Sequence, residues 1–288
     1  MIPPSFDYYT PRSIGEALSL LGGLGSEAKL LAGGHSLLPM MKLRFAQPAH
    51  LIDLARIPEL RGIREERGSL IVGAMTTEAD LISSLLVRSK VPLLAEGAGL
   101  IGDPQVRYKG TIGGDISHGD PGNDHPALMI ALDASFVLTG PRAARTVKAD
   151  GYFLGPFSTQ LAAEEILTEI HIPIPAPGSG WSYQKLKRKT GDFATAATAV
   201  LLQMKGGKVA RVSIALTNVG PTALKAKAAE DSLIGKSLDE RSLNEAAQRA
   251  MSICEPAPDQ RGDAAYKRAM CGEMTRRALQ AAAARAKG

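Results

Sequence analysis

Two short segments carry the residue types most suited to ligand chemistry. They are Ala32-Gly33-Gly34-His35-Ser36 and Thr111-Ile112-Gly113-Gly114-Asp115. Each follows a short apolar stretch and ends on a small polar residue. Glycine lets a backbone approach a ligand closely and turn its N–H groups inward. Successive inward N–H groups make an anion-binding nest that suits a pyrophosphate. The Ser36 hydroxyl and the His35 imidazole would add side-chain donors to the first loop, and Thr111 would do so in the second. A single Gly-Gly turn says little, because ordinary turns use the same pair. Two such loops say more, because a dinucleotide has two phosphates. Neither loop is a GxGxxG opening a long helix, nor a GxxxxGK[ST], so a Rossmann fold and a P-loop are both disfavoured.

Other reactive residues point to less. His118, Asp120, Asp124 and His125 resemble a metal cluster in composition. They read better as a polar loop leading into a helix, with Asp124 as N-cap and Pro126 in the first turn. Cys254 and Cys271 are the only cysteines. They give no disulfide framework and fit a reducing compartment. They also fall short of the four ligands an ordinary iron–sulfur cluster needs. No HExxH or CxxC is present, so metal and cluster chemistry is assigned to other chains. The run Lys185-Leu186-Lys187-Arg188-Lys189 reads as a solvated strand edge. His50 and His171 have no evident partners, and Met40 and Met41 read as core.

These residues must be positioned by a chain of 288 residues, 44% hydrophobic and 22% charged, long enough for a sizeable core. The net charge of +5 is spread along the sequence, and six Phe, six Tyr and one Trp offer no stacking platform. Nucleic-acid binding is therefore not expected. No apolar run approaches the roughly 20 residues of a membrane span, and the start lacks a signal-peptide pattern. The expected location is cytoplasmic, at most peripheral to the inner face of the membrane.

The periodicity predicts a helix over residues 13–24, with Ser13 and Glu16 as a capping box and Gly22-Gly23 as its stop. Strands are expected at 28–31 and 49–53, and a hairpin at 62–66 and 69–73 around Arg67-Gly68. A helix from Thr77 would bury Leu81, Ile82 and Leu85, and others would cover about 92–101 and 126–132. Strands at 135–138 and 165–172 would follow. Pro173, Pro175 and Pro177 with Gly178 and Gly180 mark a linker. Beyond it, strands around 181–186, 195–204 and 209–218 precede helices to the end, with Gly206-Gly207 as a hairpin signal.

The stretch Leu31–Pro39 with Lys42-Leu43-Arg44 resembles the first flavin motif of the molybdenum hydroxylase (xanthine oxidase) FAD subunits, and Thr111–Gly114 resembles their second. The resemblance covers nearly the whole chain. Residues 119–126, 185–192 and 215–219 look like the carbon monoxide dehydrogenase branch. The resemblance implies an α+β fold of the vanillyl-alcohol-oxidase and p-cresol-methylhydroxylase type. Two α/β subdomains, about 1–55 and 56–177, would form the FAD-binding domain. A C-terminal domain, about 178–288, would carry a three-stranded sheet and helices. It implies noncovalent FAD, with Ala32, Gly33, Gly34, His35 and Ser36 at the pyrophosphate and Thr111, Ile112, Gly113 and Gly114 as the second loop. Asp115 stands where Asn is commoner, and a carboxylate there should turn from the pyrophosphate toward backbone donors or sugar hydroxyls. Asp124 falls where an acid approaches the flavin pyrimidine. Ile101 and Phe193 fall near the isoalloxazine, with Phe193 replacing the Tyr of some relatives. The implied activity is an oxidoreductase subunit that relays electrons. A large molybdenum-containing partner would oxidise substrate, and a small partner would carry two [2Fe–2S] clusters. FAD would pass electrons to an external acceptor such as a quinone, in a dimer of heterotrimers. Two alternatives stay open: the FAD subunit of an aldehyde or N-heteroaromatic hydroxylase, and a cofactor-free assembly subunit.

Overall fold

The computed structural model describes residues 2–287. The chain builds three main sheets in sequence order. The first is parallel, from β1 (Asp7–Tyr9), β2 (Ala28–Leu31) and β3 (His50–Asp53) in the order β1-β3-β2, with helices α1 (Ile14–Leu24) and α2 (Leu37–Lys42) in the connections. Ser13 caps α1, its hydroxyl accepting from Glu16 N. The Glu16 carboxylate accepts from Arg12 N rather than Ser13 N, so the box closes one residue early. Gly22 and Gly23 lie inside the helix, contrary to expectation. The stop comes at Gly25, in the left-handed half of backbone space at φ 62°.

A five-stranded antiparallel sheet follows, ordered β4-β5-β10-β6-β7. Its hairpin of β4 (Ile63–Glu66) and β5 (Ser69–Gly73) turns on Arg67 and Gly68, both at positive φ, as a two-residue hairpin loop demands. Helices α3 (Glu78–Ser83), α4 (Leu85–Lys90), α5 (Pro92–Leu100), α6 (Pro104–Arg107), α7 (Ile112–His118) and α8 (His125–Ala131) come before β6 (Ser135–Thr139) and β7 (Ala144–Lys148). A small hairpin, β8 (Phe153–Gly155) and β9 (Ser158–Thr159), leads to β10 (Ile166–Pro173). Leu85 is 77% exposed, not buried as expected. The helix from Thr77 ends at Ser84, whose hydroxyl caps α4 by accepting from Val87 N, and this restart rotates Leu85 outward.

The C-terminal sheet is antiparallel, from β11 (Gly180–Leu186), β12 (Ala196–Lys205), β13 (Lys208–Thr217) and β14 (Leu224–Lys225) in sequence order. The expected three strands gain a fourth, because the two residues of β14 pair with Ala215 and Leu216, too short a run to show a period. Helices α9 (Lys227–Leu233), α10 (Glu240–Ser252) and α11 (Ala264–Arg285) cover one face. The other face adds Tyr183, Ala197, Ala199 and Ala215 to a core built from Leu70, Val72, Leu94, Leu128 and Phe136. One apolar core thus runs across the proline linker. A separate cluster around Ala17, Ile52 and Leu54 packs against the parallel sheet, with Met75 and Ile166 joining it from later in the chain.

Candidate FAD site

The first glycine loop joins β2 to α2. Gly34 has φ 77°, which favours glycine. Gly33 lies so close to the second subdomain that a Cβ there would sit 2.1 Å from Lys109 O. Among the described residues, the N–H groups of Gly33, Gly34, His35 and Ser36 have no protein acceptor. Ser36 precedes α2 without a side-chain capping bond, so its hydroxyl is also free. A row of unclaimed donors on a surface loop is the geometry an anion fits.

The second loop is differently built. It is the start of helix α7, with Thr111 as N-cap. Ile112 N donates to Thr76 O at 3.1 Å and Gly113 N to Ala74 O at 2.9 Å. Gly114 N donates to Thr111 Oγ1 at 3.1 Å, and Asp115 N to Thr111 O at 3.0 Å. The expected nest of N–H groups is therefore already closed by the protein here. The Thr111 hydroxyl accepts from Gly114 and keeps its own proton to donate. The glycines serve close packing instead. A Cβ on Gly113 would lie 2.5 Å from Ala74 Cβ, and one on Gly114 would lie 3.4 Å from Ala32 Cβ of the first loop.

Both loops line one cleft of about 340 Å³, through Ala32, Gly33, Gly34 and Thr111. Arg61, Tyr108 and Lys109 line it too. No sequence motif marks these three, although Lys109-Gly110 directly precedes the second loop. Asp53 adds one carboxylate to the lining, and two cations with free N–H donors outweigh it and suit a diphosphate.

Asp124 is buried, and its carboxylate accepts from Tyr183 Oη at 2.5 Å and Lys185 Nζ at 2.6 Å. It makes no side-chain cap to α8, which corrects the capping role expected of it. Lys185 is not a solvated edge residue. Its side chain is 1% exposed, and it also donates to Leu100 O. Burial raises Tyr183 well above the ordinary phenol range, and the Asp124 carboxylate adds to this. His125 pairs with Glu78 in the interior at 2.8 Å. Burial pulls the imidazole down, but the Glu78 carboxylate outweighs it and lifts the group to about 9. His50 and His171, without partners in the sequence pattern, pair with Asp7 and Glu169. Among the described residues no group of three or more His, Cys, Asp or Glu is arranged to hold a metal. Cys254 and Cys271 are buried thiols 3.6 Å apart.

Ile101 closes α5, and its carbonyl accepts from Arg107. Phe193 is 46% exposed, with the Arg261 guanidinium 5.6 Å from its ring centre. Asp192 anchors this loop by accepting from Arg188 and Arg261. Burial favours its neutral form, but those two hydrogen bonds outweigh it and hold the carboxyl at about 2. A Cβ on Gly191 would come within 3.9 Å of Asp103, so the loop before Phe193 and the turn after Ile101 adjoin.

The loop donors, the two cations and the glycine approach fit a dinucleotide. Comparison with known proteins agrees. Residues 4–175 match the family described as the FAD binding domain in molybdopterin dehydrogenase, and 181–282 match the CO dehydrogenase flavoprotein C-terminal domain. The chain belongs to the FAD-binding subunits of the molybdopterin dehydrogenases, on their carbon monoxide dehydrogenase branch. It is similar to the carbon monoxide dehydrogenase medium chain of Hydrogenophaga pseudoflava, 62% identical with 99% of each chain covered. It is 52% identical to the medium chain from Afipia carboxidovorans, with 100% of each covered. A solved structure of the Hydrogenophaga pseudoflava carbon monoxide dehydrogenase, which lacks the Mo-pyranopterin moiety of its molybdenum cofactor, superposes with a TM-score of 0.99. It is 63% identical, with 100% of both chains covered.

Proposed function

We propose that the chain is the flavin-carrying, electron-transfer subunit of a carbon monoxide dehydrogenase. The observation that carries this is the row of free N–H groups at residues 33–36, on a loop whose Gly33 and Gly34 line a cleft with Lys109 and Arg61. The end-to-end likeness to carbon monoxide dehydrogenase medium chains supports it. The cofactor is noncovalent FAD, lying between subdomains of about 1–55 and 56–177.

In this reading the N–H groups of Gly33, Gly34, His35 and Ser36 hold the pyrophosphate, and Ala32 and Gly114 set how near the two subdomains come. Lys109 and Arg61 offset the phosphate charge. Thr111 donates its remaining proton, while Ile112 and Gly113 hold α7 in place. Ile101 and Phe193 provide an apolar wall for the ring, and Asp124, fixed by Tyr183 and Lys185, presents an acid of set orientation. FAD, when bound, would supply the redox chemistry that links the iron–sulfur clusters of a partner to an external acceptor. The protein's part is to position and tune it. The partners are a large molybdenum subunit that oxidises substrate and a small subunit with two [2Fe–2S] clusters, in a dimer of heterotrimers. An external acceptor such as a quinone takes the electrons.

The test is cofactor analysis of the purified complex. Acid precipitation should release one FAD per copy of this chain into the supernatant, and the separated chain should hold no iron or molybdenum. A complex without flavin, or stoichiometric iron on this chain, refutes the reading.

A further inference from the structure

The two cysteines have no part in the reading above, yet the fold brings them together. Cys254 follows the end of α10, and Cys271 lies inside α11. At this level the two helices come close: a Cβ on Gly272 would lie 2.4 Å from Met251 Sδ. Arg268, one turn before Cys271, donates from Nε and Nη2 to the Cys254 carbonyl at 3.3 and 3.1 Å and holds that residue against α11. The two Sγ atoms stand 3.6 Å apart. Their backbones differ in freedom. Cys271 is fixed in a helix of 22 residues, whereas Cys254 opens the link 253–263, which holds no helix or strand. Further along, Arg261 ties that link to the loop before Phe193, donating to Asp192 at 2.7 Å. The two thiols also differ in acidity. The Cys271 thiol, joined by the Arg268 guanidinium, holds Cys254 below the ordinary thiol range against burial. Cys254 and burial push Cys271 well above it. One sulfur is suited to attack and the other to resolve.

We propose that Cys254 and Cys271 close into a reversible disulfide that pins the 253–263 link to α11, and that a small hydroperoxide is the oxidant. The proposal does not depend on the flavin reading. The Cys254 thiolate attacks one peroxide oxygen. An S–O bond forms, the O–O bond breaks, and the leaving hydroxide takes a proton to become water. The Cys271 sulfur then attacks the resulting sulfenic acid. The S–S bond forms, the S–O bond breaks, and the second water leaves with the Cys271 proton. Two thiols are oxidised by two electrons in all, and one peroxide is reduced to two waters. Closure brings the sulfurs about 1.5 Å nearer, to a bond of about 2.05 Å. The link supplies that movement while α11 stays in place. Both cysteines are buried, so the peroxide enters when the end of α10 and the link open locally. Cellular thiols reverse the step by exchange, which makes the bond a transient signal rather than a structural staple.

The experiment treats the assembled complex with rising hydrogen peroxide, quenches in acid, alkylates free thiols and digests with trypsin without reductant. The expected product is one crosslinked pair, peptide 250–261 joined to 269–276, lighter than the sum by two hydrogens and separated by dithiothreitol. Amide exchange across residues 255–263 should slow about tenfold in the oxidised complex and recover on reduction. Neither Cys254→Ser nor Cys271→Ser should crosslink. The cysteine left in Cys271→Ser should oxidise about tenfold faster than the one left in Cys254→Ser. The crosslink and the exchange are read on the unaltered protein, so they decide the matter even if a variant fails to assemble. If both cysteines stay alkylatable at doses that oxidise the chain's methionines, or Cys254 goes to the sulfinic acid without a crosslink, the pair is core packing and the proposal falls. A crosslink that leaves exchange at 255–263 unchanged also overturns it, because the link is then not what the bond holds.

Discussion

The two glycine loops look alike as sequence and differ in how their backbone is used. Among the described residues, 33–36 leave their N–H groups unclaimed, whereas residues 112–115 give every one to Ala74, Thr76 or Thr111. The first loop leaves its donors available, and the second spends its own on holding the protein together. A Gly-Gly pair therefore has two separable uses, donor presentation and backbone proximity, and bond accounting tells them apart.

The contrast is most exposed to a change at Gly113. A Cβ would fall 2.5 Å from Ala74 Cβ and 2.6 Å from Ala74 O, against backbone that is itself hydrogen-bonded. Gly113→Val should cost about 3 kcal/mol by overpacking and displacement of that bond. Urea unfolding of the assembled protein reads this, and an unchanged midpoint would erase the distinction between the loops. Gly33→Ala should act the other way. Its Cβ would meet Lys109 O, but the first loop is not tied by its N–H groups and can draw back. Stability should change little, while flavin content at equal free FAD falls at least tenfold, about 1.4 kcal/mol. Full flavin occupancy together with a large drop in stability would reverse the assignment. Thr111 gives the smallest and finest test. Thr111→Val removes the acceptor for Gly114 N and should cost about 1 kcal/mol, a fall of roughly 2–4 °C in Tm. Thr111→Ser should restore it. If Ser and Val melt alike, the cap does not hold the second loop.

Much of the architecture was legible because its signals are local. Ser13 and Thr77 begin helices as capping residues do, and Arg67-Gly68 turns a hairpin as such pairs do. What escaped depends on partners far along the chain. The acceptors that close the second loop come from residues 74 and 76, at the end of β5. Lys185 looks like part of a solvated charge run, yet it shares a strand face with Tyr183, which points into the core, and its counter-ion lies 61 residues away. Gly22-Gly23 failed as a stop because both positions face open space and an exposed helix tolerates them. The glycines of the site stood out in the sequence. Arg61, Tyr108 and Lys109 did not, since a lone cation or tyrosine carries no period and no motif.

The apolar core that crosses the proline linker has a consequence for how this chain lives and breaks. Its boundary near residue 177 is a boundary of chain path and not of cooperativity. Leu94, Leu128 and Phe136 on one side and Tyr183, Ala197 and Ala199 on the other lose water together. A cut at the linker would bare both faces at once, leaving two fragments with the exposed surface of a folding intermediate rather than two modules. Evolution can lengthen or edit such a junction, but it cannot shuffle its halves independently. The cleft between the two glycine loops thus belongs to a fold held in part by helices and strands that never reach it.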